Sequence, residues 1–372
     1  RAWMKNKRNI PQIQPWIDEG ELEQLKRIIE TTFVTENILT EEFEEIVKNL
    51  TGSKYAIAVT NGTMALYCCL KSLGIGRGDE VIVPDMTFIA TSNSVIMAGA
   101  TPVFCDITKD TLCIDPKKIT DLITDKTMAI MPVHLYGQSA DMEAINTIAE
   151  KHSLYVIEDA AQGVGVKFKN KHVGTFGDLG ILSFYGNKTI TCGEGGVILT
   201  NSDELKEKCY QLKNHGRPTK GTFKHDHIGF NFAFTEMQAA IGISQMKKLP
   251  HIISKKKEIY DLYHEELRCV ADKLIPIKID TRSSPVFWFT SFLTDHRDEL
   301  GKHLDEKGIG SRFFFYPLHM QPCYSDMKMD TQCPISKEVY DKGISLPSSY
   351  NLNLKDQKYV IESIKEFFGK IQ

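Results

Sequence analysis

From about Tyr55 to Thr200 the chain alternates short runs of β-branched and apolar residues with longer stretches in which apolar positions recur at helical spacing. The runs Tyr55–Thr60, Glu80–Val83, Thr101–Asp106, Thr127–His134, Leu154–Glu158, Leu179–Tyr185 and Gly196–Thr200 are bounded by turn residues and predict strands. Asn61–Leu73, Thr87–Ala98, Pro116–Ile123 and Asp141–Lys151 fall between them and predict helices. Such alternation predicts an α/β fold, a mostly parallel sheet sandwiched by helices. After Ser202 the pattern changes to a helix reaching about Leu212, a loop rich in Gly, His and Lys over Asn214–His227, and a small-residue helix from Thr235. A boundary is expected near Pro250, giving a large domain over 1–250 and a smaller α+β domain over 251–372. The smaller one would hold a long charged helix from His251, the run Val286–Leu293 and a last helix from about Lys355.

Composition narrows the function classes. At 372 residues the chain can bury a substantial core. A formal charge of -3 offers no basic footprint, so neither nucleic acid nor an anionic membrane is an expected partner. No apolar run reaches the roughly 18–20 residues that span a bilayer, and the start Arg1–Arg8 is polar, so a soluble, cytoplasmic protein is expected. The 9 cysteines are scattered with no CxxC pair, which argues against a disulfide framework or zinc site. His225-Asp226-His227 has no Cys or carboxylate cluster beside it in sequence, and no metal is expected.

In open α/β sheets ligands bind beyond the carboxyl ends of the strands, so the residues just after each predicted strand carry the candidate chemistry. Asn61-Gly62-Thr63 opens a helix, where free N–H groups and the positive helix end suit a phosphate, although Asn61 could equally be a plain N-cap. Phe88 follows the second strand and could stack on a flat heteroaromatic ring, or simply pack in the core. Asp159 ends the fifth strand beside small residues and Gln162, either as a partner for a cationic ring nitrogen or as a local cap. Lys188 lies in a glycine-flanked loop five residues after Ser183, a setting in which an amine with a depressed pKa could bond an aldehyde. Each signal is weak alone; together they would suit one cofactor, pyridoxal 5'-phosphate, and the joint pattern is more specific than any part. The glycine-rich Gly74-Ile75-Gly76-Arg77-Gly78 precedes a strand and opens no helix, so it is read as a turn.

These blocks, with VIVPDMTFIAT, GATPVFCDI, MPVHLYGQ, VIEDAAQ, GTFGDLGILSFYGNKTITCGEGG, NHGR and IGFNFAFTEMQAAIG, run in order through nearly the whole chain. In them the sequence resembles the DegT/DnrJ/EryC1/StrS sugar aminotransferases. The resemblance implies an aspartate-aminotransferase-like fold and a homodimer with shared active sites. It implies that Lys188 holds pyridoxal phosphate and moves protons, and that Asp159 pairs with the ring nitrogen while Phe88 stacks on the ring. Gly62, Thr63 and Ser183 would take the phosphate, with Gln162 near the ring hydroxyl and Asn231 reaching the phosphate from the partner subunit. Arg312, Tyr316 and His319 become candidates for the nucleotide-sugar side of the cleft. The implied reaction passes an amino group from a donor, glutamate by family habit, to a nucleotide-linked 4-keto-6-deoxyhexose, a GDP sugar first and UDP or dTDP sugars next. Where relatives commonly read Asn-Tyr-Arg, this chain has Asn231-Phe232-Ala233, so an anion partner must come from elsewhere, with Arg217 and Lys220 as candidates. Thr35-Glu36-Asn37 also replaces the Ser-Gly type loop of many relatives. Two rival readings are a sugar dehydratase, which related proteins achieve with histidine in place of Lys188, and a sensor that binds without turnover.

Overall fold

A computed structural model of the protein describes residues 8–219, 221–327 and 332–370. Two helices, α1 (Glu19–Thr31) and α2 (Ile38–Thr51), precede the first strand. The expected alternation then follows as β1 (Tyr55–Val59), α3 (Gly62–Ser72), β2 (Glu80–Pro84), α4 (Ala90–Met97), β3 (Thr101–Cys105), α5 (Pro116–Ile119), β4 (Thr127–Ile130), α6 (Met142–His152) and β5 (Tyr155–Asp159). A small hairpin, β6 (Lys167–Phe168) and β7 (Lys171–His172), leads into β8 (Leu179–Ser183), β9 (Gly196–Thr200) and α7 (Asp203–Lys213).

Seven strands form the main sheet in the order β1-β9-β8-β5-β4-β2-β3. Only β9 runs against its neighbours, pairing antiparallel with both β1 and β8, while β8, β5, β4, β2 and β3 are mutually parallel. Period-2 alternation divides each strand between two cores, as a doubly covered sheet requires. Ala56, Ala58, Ile82, Val156 and Leu199 point to the face carrying Phe43 of α2 and Ile145 of α6. Ile57, Val59, Val83, Ile157 and Ile198 point to the other, against Leu66 and Cys69 of α3. All 9 cysteines are free thiols, and seven of them are buried among these apolar side chains. No helix among the described residues is long and apolar enough to cross a membrane.

The C-terminal part begins differently from expectation. Helix α8 (Glu236–Glu266) runs 31 residues straight through Pro250, so the expected boundary falls inside an element and the two helices anticipated at Thr235 and His251 are one. Proline forfeits one helical hydrogen bond and crowds the preceding turn. Here both flanks are pinned, with Met246, Leu249 and Ile252 buried in the main core and Ile259 and Tyr263 in the next. Beyond it come β10 (Ile275–Pro276), β11 (Ser283–Ser284), β12 (Thr290–Leu293), α9 (Arg297–Glu306), β13 (Arg312–Phe313), α10 (Pro334–Lys342), β14 (Gly343–Leu346) and α11 (Leu354–Gly369). Strand β11 joins β6 and β7 in a three-stranded sheet. The others form an antiparallel sheet, β10-β12-β14-β13, whose Phe292, Ile344 and Leu346 pack on α9 and α11. This is the aspartate-aminotransferase type of fold, a helix-covered and mainly parallel sheet followed by a smaller α+β layer.

Candidate active site

A cavity of about 440 Å3 opens at the carboxyl ends of β1, β2, β5 and β8, the size of an ordinary small-molecule site. Its lining includes Gly62, Thr63, Phe88, Asp159, Gln162, Ser183, Lys188, Trp288, Arg312 and Phe315. Nine of the residues singled out from sequence, Asn61 among them, are therefore brought to one place, from five separate stretches of chain. Asn231, Arg217, Tyr316 and His319 do not line it.

One wall is built from glycine. Asn61 is the N-cap of α3, its side-chain oxygen accepting from Met64 N–H at 3.0 Å, so the plain capping role is realised alongside whatever the helix end binds. Gly62 sits so close to β8 that a Cβ there would lie 3.2 Å from Cβ of Ser183, and a Cβ on Gly196 would come within 2.5 Å of the Asn61 carbonyl. Only bare backbone lets β9, the start of α3 and Ser183 converge. The result is a helix N-terminus with a hydroxyl on each side, at Thr63 and Ser183, both facing the cavity.

The other wall carries the titrating pair. Asp159 ends β5 and is buried, accepting from Thr91 Oγ1 at 2.8 Å and from Ala161 N–H at 3.1 Å. Burial raises its pKa above the ordinary carboxylate value, opposed by the Thr91 and Ala161 hydrogen bonds and by the charge of Lys188. Lys188 lies opposite, and burial holds its pKa down to about 8 against the pull of Asp159, with Arg312 adding a small downward push. Its Nζ sits 4.4 Å from the Trp288 ring centroid, and the indole N–H donates to the Asn187 carbonyl at 2.7 Å. With a pKa of about 8, roughly a tenth of this amine is unprotonated at pH 7, far more than of an ordinary lysine, which makes it better able to attack a carbonyl or to accept a proton.

Aromatic rings close the site. Phe88, 54 % exposed despite its apolar ring, stands on the cavity wall 6.0 Å from the Phe315 centroid. Tyr136 stacks on Phe315 at 5.4 Å, and its backbone N–H donates to Gln162 Oε1 at 2.6 Å, which fixes the Gln162 amide beside the cavity. A flat ring slipped in against Phe88 would have a carboxylate at one edge, an amine at another and the helix N-terminus beyond.

The residues left outside have other partners. His319 is spent on Asp85: its ring Nδ1 lies 2.7 Å from Asp85 Oδ2, and its backbone N–H donates to Oδ1 at 2.8 Å. This pair pins the segment after β13 to the end of β2, so its effect on the cavity runs through Phe315 and Thr87. Cys333 joins them to bring three potential ligand atoms within 4.8 Å, a grouping that sequence spacing does not display. Tyr316 packs edge-on against Tyr340. The Arg217 guanidinium folds back on Asn214, donating to Oδ1 at 2.8 Å and to the carbonyl at 3.4 Å. Asn231 is exposed and bridges to Asn214. Lys220 lies outside the described residues.

Thr91 and Trp288 were not singled out from sequence. Thr91 looks like one hydroxyl of a helix, and its partner is 68 positions away; Trp288 sits in an apolar run that reads as core.

The sequence matches the DegT/DnrJ/EryC1/StrS aminotransferase family over residues 15–365. It is 40% identical over 367 residues to the GDP-perosamine synthase of Escherichia coli O157:H7, covering 97% of this chain and 99% of that protein. To the GDP-perosamine synthase of Vibrio cholerae it is 37% identical, covering 97% of this chain and 100% of that one. Among solved structures, S. venezuelae DesV in complex with a ketimine intermediate superposes with a TM-score of 0.91 at 29% identity, covering 97% of this chain and 100% of that chain. With the family matched from end to end of the fold just described, the chain belongs to the DegT/DnrJ/EryC1/StrS aminotransferases.

Proposed function

We propose that this aminotransferase uses pyridoxal phosphate and converts a nucleotide-linked 4-keto-6-deoxyhexose to its 4-amino sugar, with GDP-4-keto-6-deoxymannose as the first substrate to try and GDP-perosamine as the product. The observation that carries the reading is the opposition of Lys188 and Asp159 across one cavity that also holds a glycine-cleared helix N-terminus. That donor set fits the cofactor piece by piece. Gly62, Thr63 and Ser183 would hold its phosphate, Asp159 its ring nitrogen, Phe88 one ring face, and Lys188 its aldehyde carbon. When bound, the cofactor supplies an electron sink that makes a proton on the neighbouring carbon removable.

The chain's own residues do the rest. Asp159, oriented by Thr91 and the Ala161 N–H, keeps the ring-nitrogen proton in place. Lys188, its pKa held down to about 8, takes a proton from the donor carbon and later returns one to the sugar carbon. Trp288 fills the space beside Nζ and excludes water there. Identity of 37% and 40% to two GDP-perosamine synthases supports the GDP sugar over UDP or dTDP alternatives. Glutamate is the proposed donor, and the working form is proposed to be a homodimer, in keeping with the exposed apolar Phe223 and Ile228.

The test is a panel of GDP-, UDP- and dTDP-linked 4-keto-6-deoxyhexoses incubated with protein, pyridoxal phosphate and glutamate, read by product mass. Gain of an amine on the GDP sugar is expected. If no sugar in the panel gains one, the reading fails.

A further inference from the structure

An aminotransferase admits two unlike molecules in turn at one centre, and an α-amino acid donor brings a carboxylate that must be seated within a bond or two of the reacting carbon. A carboxylate drawn into a ring-lined cavity needs a fixed cation with matching hydrogen-bond donors. Among the described residues that line the cavity, the cations are Lys188 and Arg312. Lys188 is committed to the cofactor and to proton transfer. The Arg312 side chain makes no hydrogen bond or ion pair with any described residue, and its guanidinium carbon stands 5.3 Å from the Phe289 ring centroid. Strand β13 holds its backbone in register with Ser345, so the side chain is aimed from a sheet and not from a loop.

Two anions compete for such a residue, the donor carboxylate and the diphosphate of the sugar nucleotide. Position separates them. The diphosphate lies a whole sugar ring away from the carbon that receives nitrogen, whereas the carboxylate is bonded directly to the donor carbon. Arg312 shares the same cavity as Lys188 and is close enough for its charge to bear on the Lys188 amine. Phe289 beneath it stacks on Trp288 at 3.9 Å, and Trp288 in turn covers Lys188 Nζ, so one short aromatic wall joins the two cations.

We propose that Arg312, which the resemblance offered for the nucleotide-sugar side, instead seats the carboxylate of the amino donor. This rests on the aminotransferase reading above. The planar guanidinium would bind the carboxylate with two parallel N–H bonds, a geometry that lysine cannot reproduce. It follows that donor recognition and sugar recognition use different residues of one cavity.

The experiment uses cofactor-loaded wild type, Arg312→Gln and Arg312→Lys, with each half-reaction followed separately by the absorbance of the bound cofactor. Glutamate drives the first, and the GDP-linked keto-sugar drives the second from protein carrying the aminated cofactor. In Arg312→Gln the glutamate half-reaction is expected to slow by about 100-fold while the sugar half-reaction stays within about threefold, with Arg312→Lys between the two. Binding of succinate, a dicarboxylate that cannot react, is expected by calorimetry to weaken at least about tenfold in Arg312→Gln. Unchanged glutamate and succinate behaviour in Arg312→Gln overturns the proposal, as does an equal fall in both half-reactions. A wild-type protein whose cofactor spectrum no amino acid alters overturns the aminotransferase reading itself, and the proposal with it.

Discussion

Lys188, half-buried, and Lys256, fully buried, are two lysines with opposite surroundings, and the contrast shows what each is for. Lys188 faces a carboxylate across a cavity; Lys256 faces only carbonyls, donating to Trp288 O at 3.0 Å and Ser348 O at 2.9 Å. Burial alone holds Lys256 down to about 7 from the ordinary 10.5. The unfolded chain therefore binds the extra proton between those values, and stability rises with pH across that window. Replacing Lys256 by Met removes the effect. The stability of wild type relative to Lys256→Met is expected to grow by up to about 2 kcal/mol between about pH 7 and pH 9, measured by denaturant unfolding. At the proposed centre, Asp159→Asn is expected to lower kcat by about 100-fold or more with the cofactor still bound. Thr91→Val, which removes one of two bonds to that carboxylate, should cost no more than about tenfold; equal losses in the two variants would refute the division of roles. The cavity residues legible in sequence, such as Gly62, Phe88, Asp159, Ser183 and Lys188, are those at or within about five residues of a strand's carboxyl end, where the position of a residue in the fold can be read from its neighbours. Thr91, Trp288 and the His319 pairing with Asp85 depend on contacts far apart in sequence, which no local pattern encodes.

One helix of the main layer is fastened by a partner from a distant element. Helix α2 has Asn37 as its N-cap but no side-chain capping bond. Its open N–H groups are met by Glu236, the first residue of α8, which accepts from the N–H groups of Asn37, Leu39 and Thr40 at 2.8, 2.8 and 2.9 Å and from the Thr40 hydroxyl at 2.7 Å. A carboxylate at a helix N-terminus satisfies both the orphan donors and the helix dipole. Glu236→Ala should cost about 3 kcal/mol, because the amides of Leu39 and Thr40 would be buried without an acceptor. Amide hydrogen exchange should show the loss first at the start of α2, and uniform loss over the chain would argue against a local cap. Most strands of the main sheet were legible to within two residues, because each alternates between two cores, although β4 stops at Ile130 and not at His134. The run Val286–Leu293 was not: only Thr290–Leu293 is strand. Its first half bonds elsewhere, Val286 N–H to the Gly137 carbonyl and Trp288 N–H back to Val286, which bends the chain so that Trp288 reaches Lys188.

At the scale of the whole molecule, the exposed apolar side chains are the feature that one chain does not explain. Phe223 and Ile228 are 89% and 86% exposed, and Phe33 and Val34 stand open ahead of α2. If these faces meet in a homodimer, light scattering of the wild type gives twice the 42.1 kDa of one chain, and the Phe223→Asp, Ile228→Asp double variant shifts toward one. An unaltered dimer in that variant would remove these two residues from the interface. The overall α/β layering was legible because alternation of strand and helix admits few arrangements, but the division at Pro250 was drawn through a helix, since a proline with charged residues after it looks like a stop. That continuous helix has a mechanical consequence. It spans roughly 46 Å at the usual rise and is embedded in both cores, so it acts as a splint between the two sheets. Because Leu249 and Ile252, on either side of Pro250, lie in the same main core, the residue that looked like a border is instead clamped inside the large layer, and the helix carries any load on the small sheet directly into it.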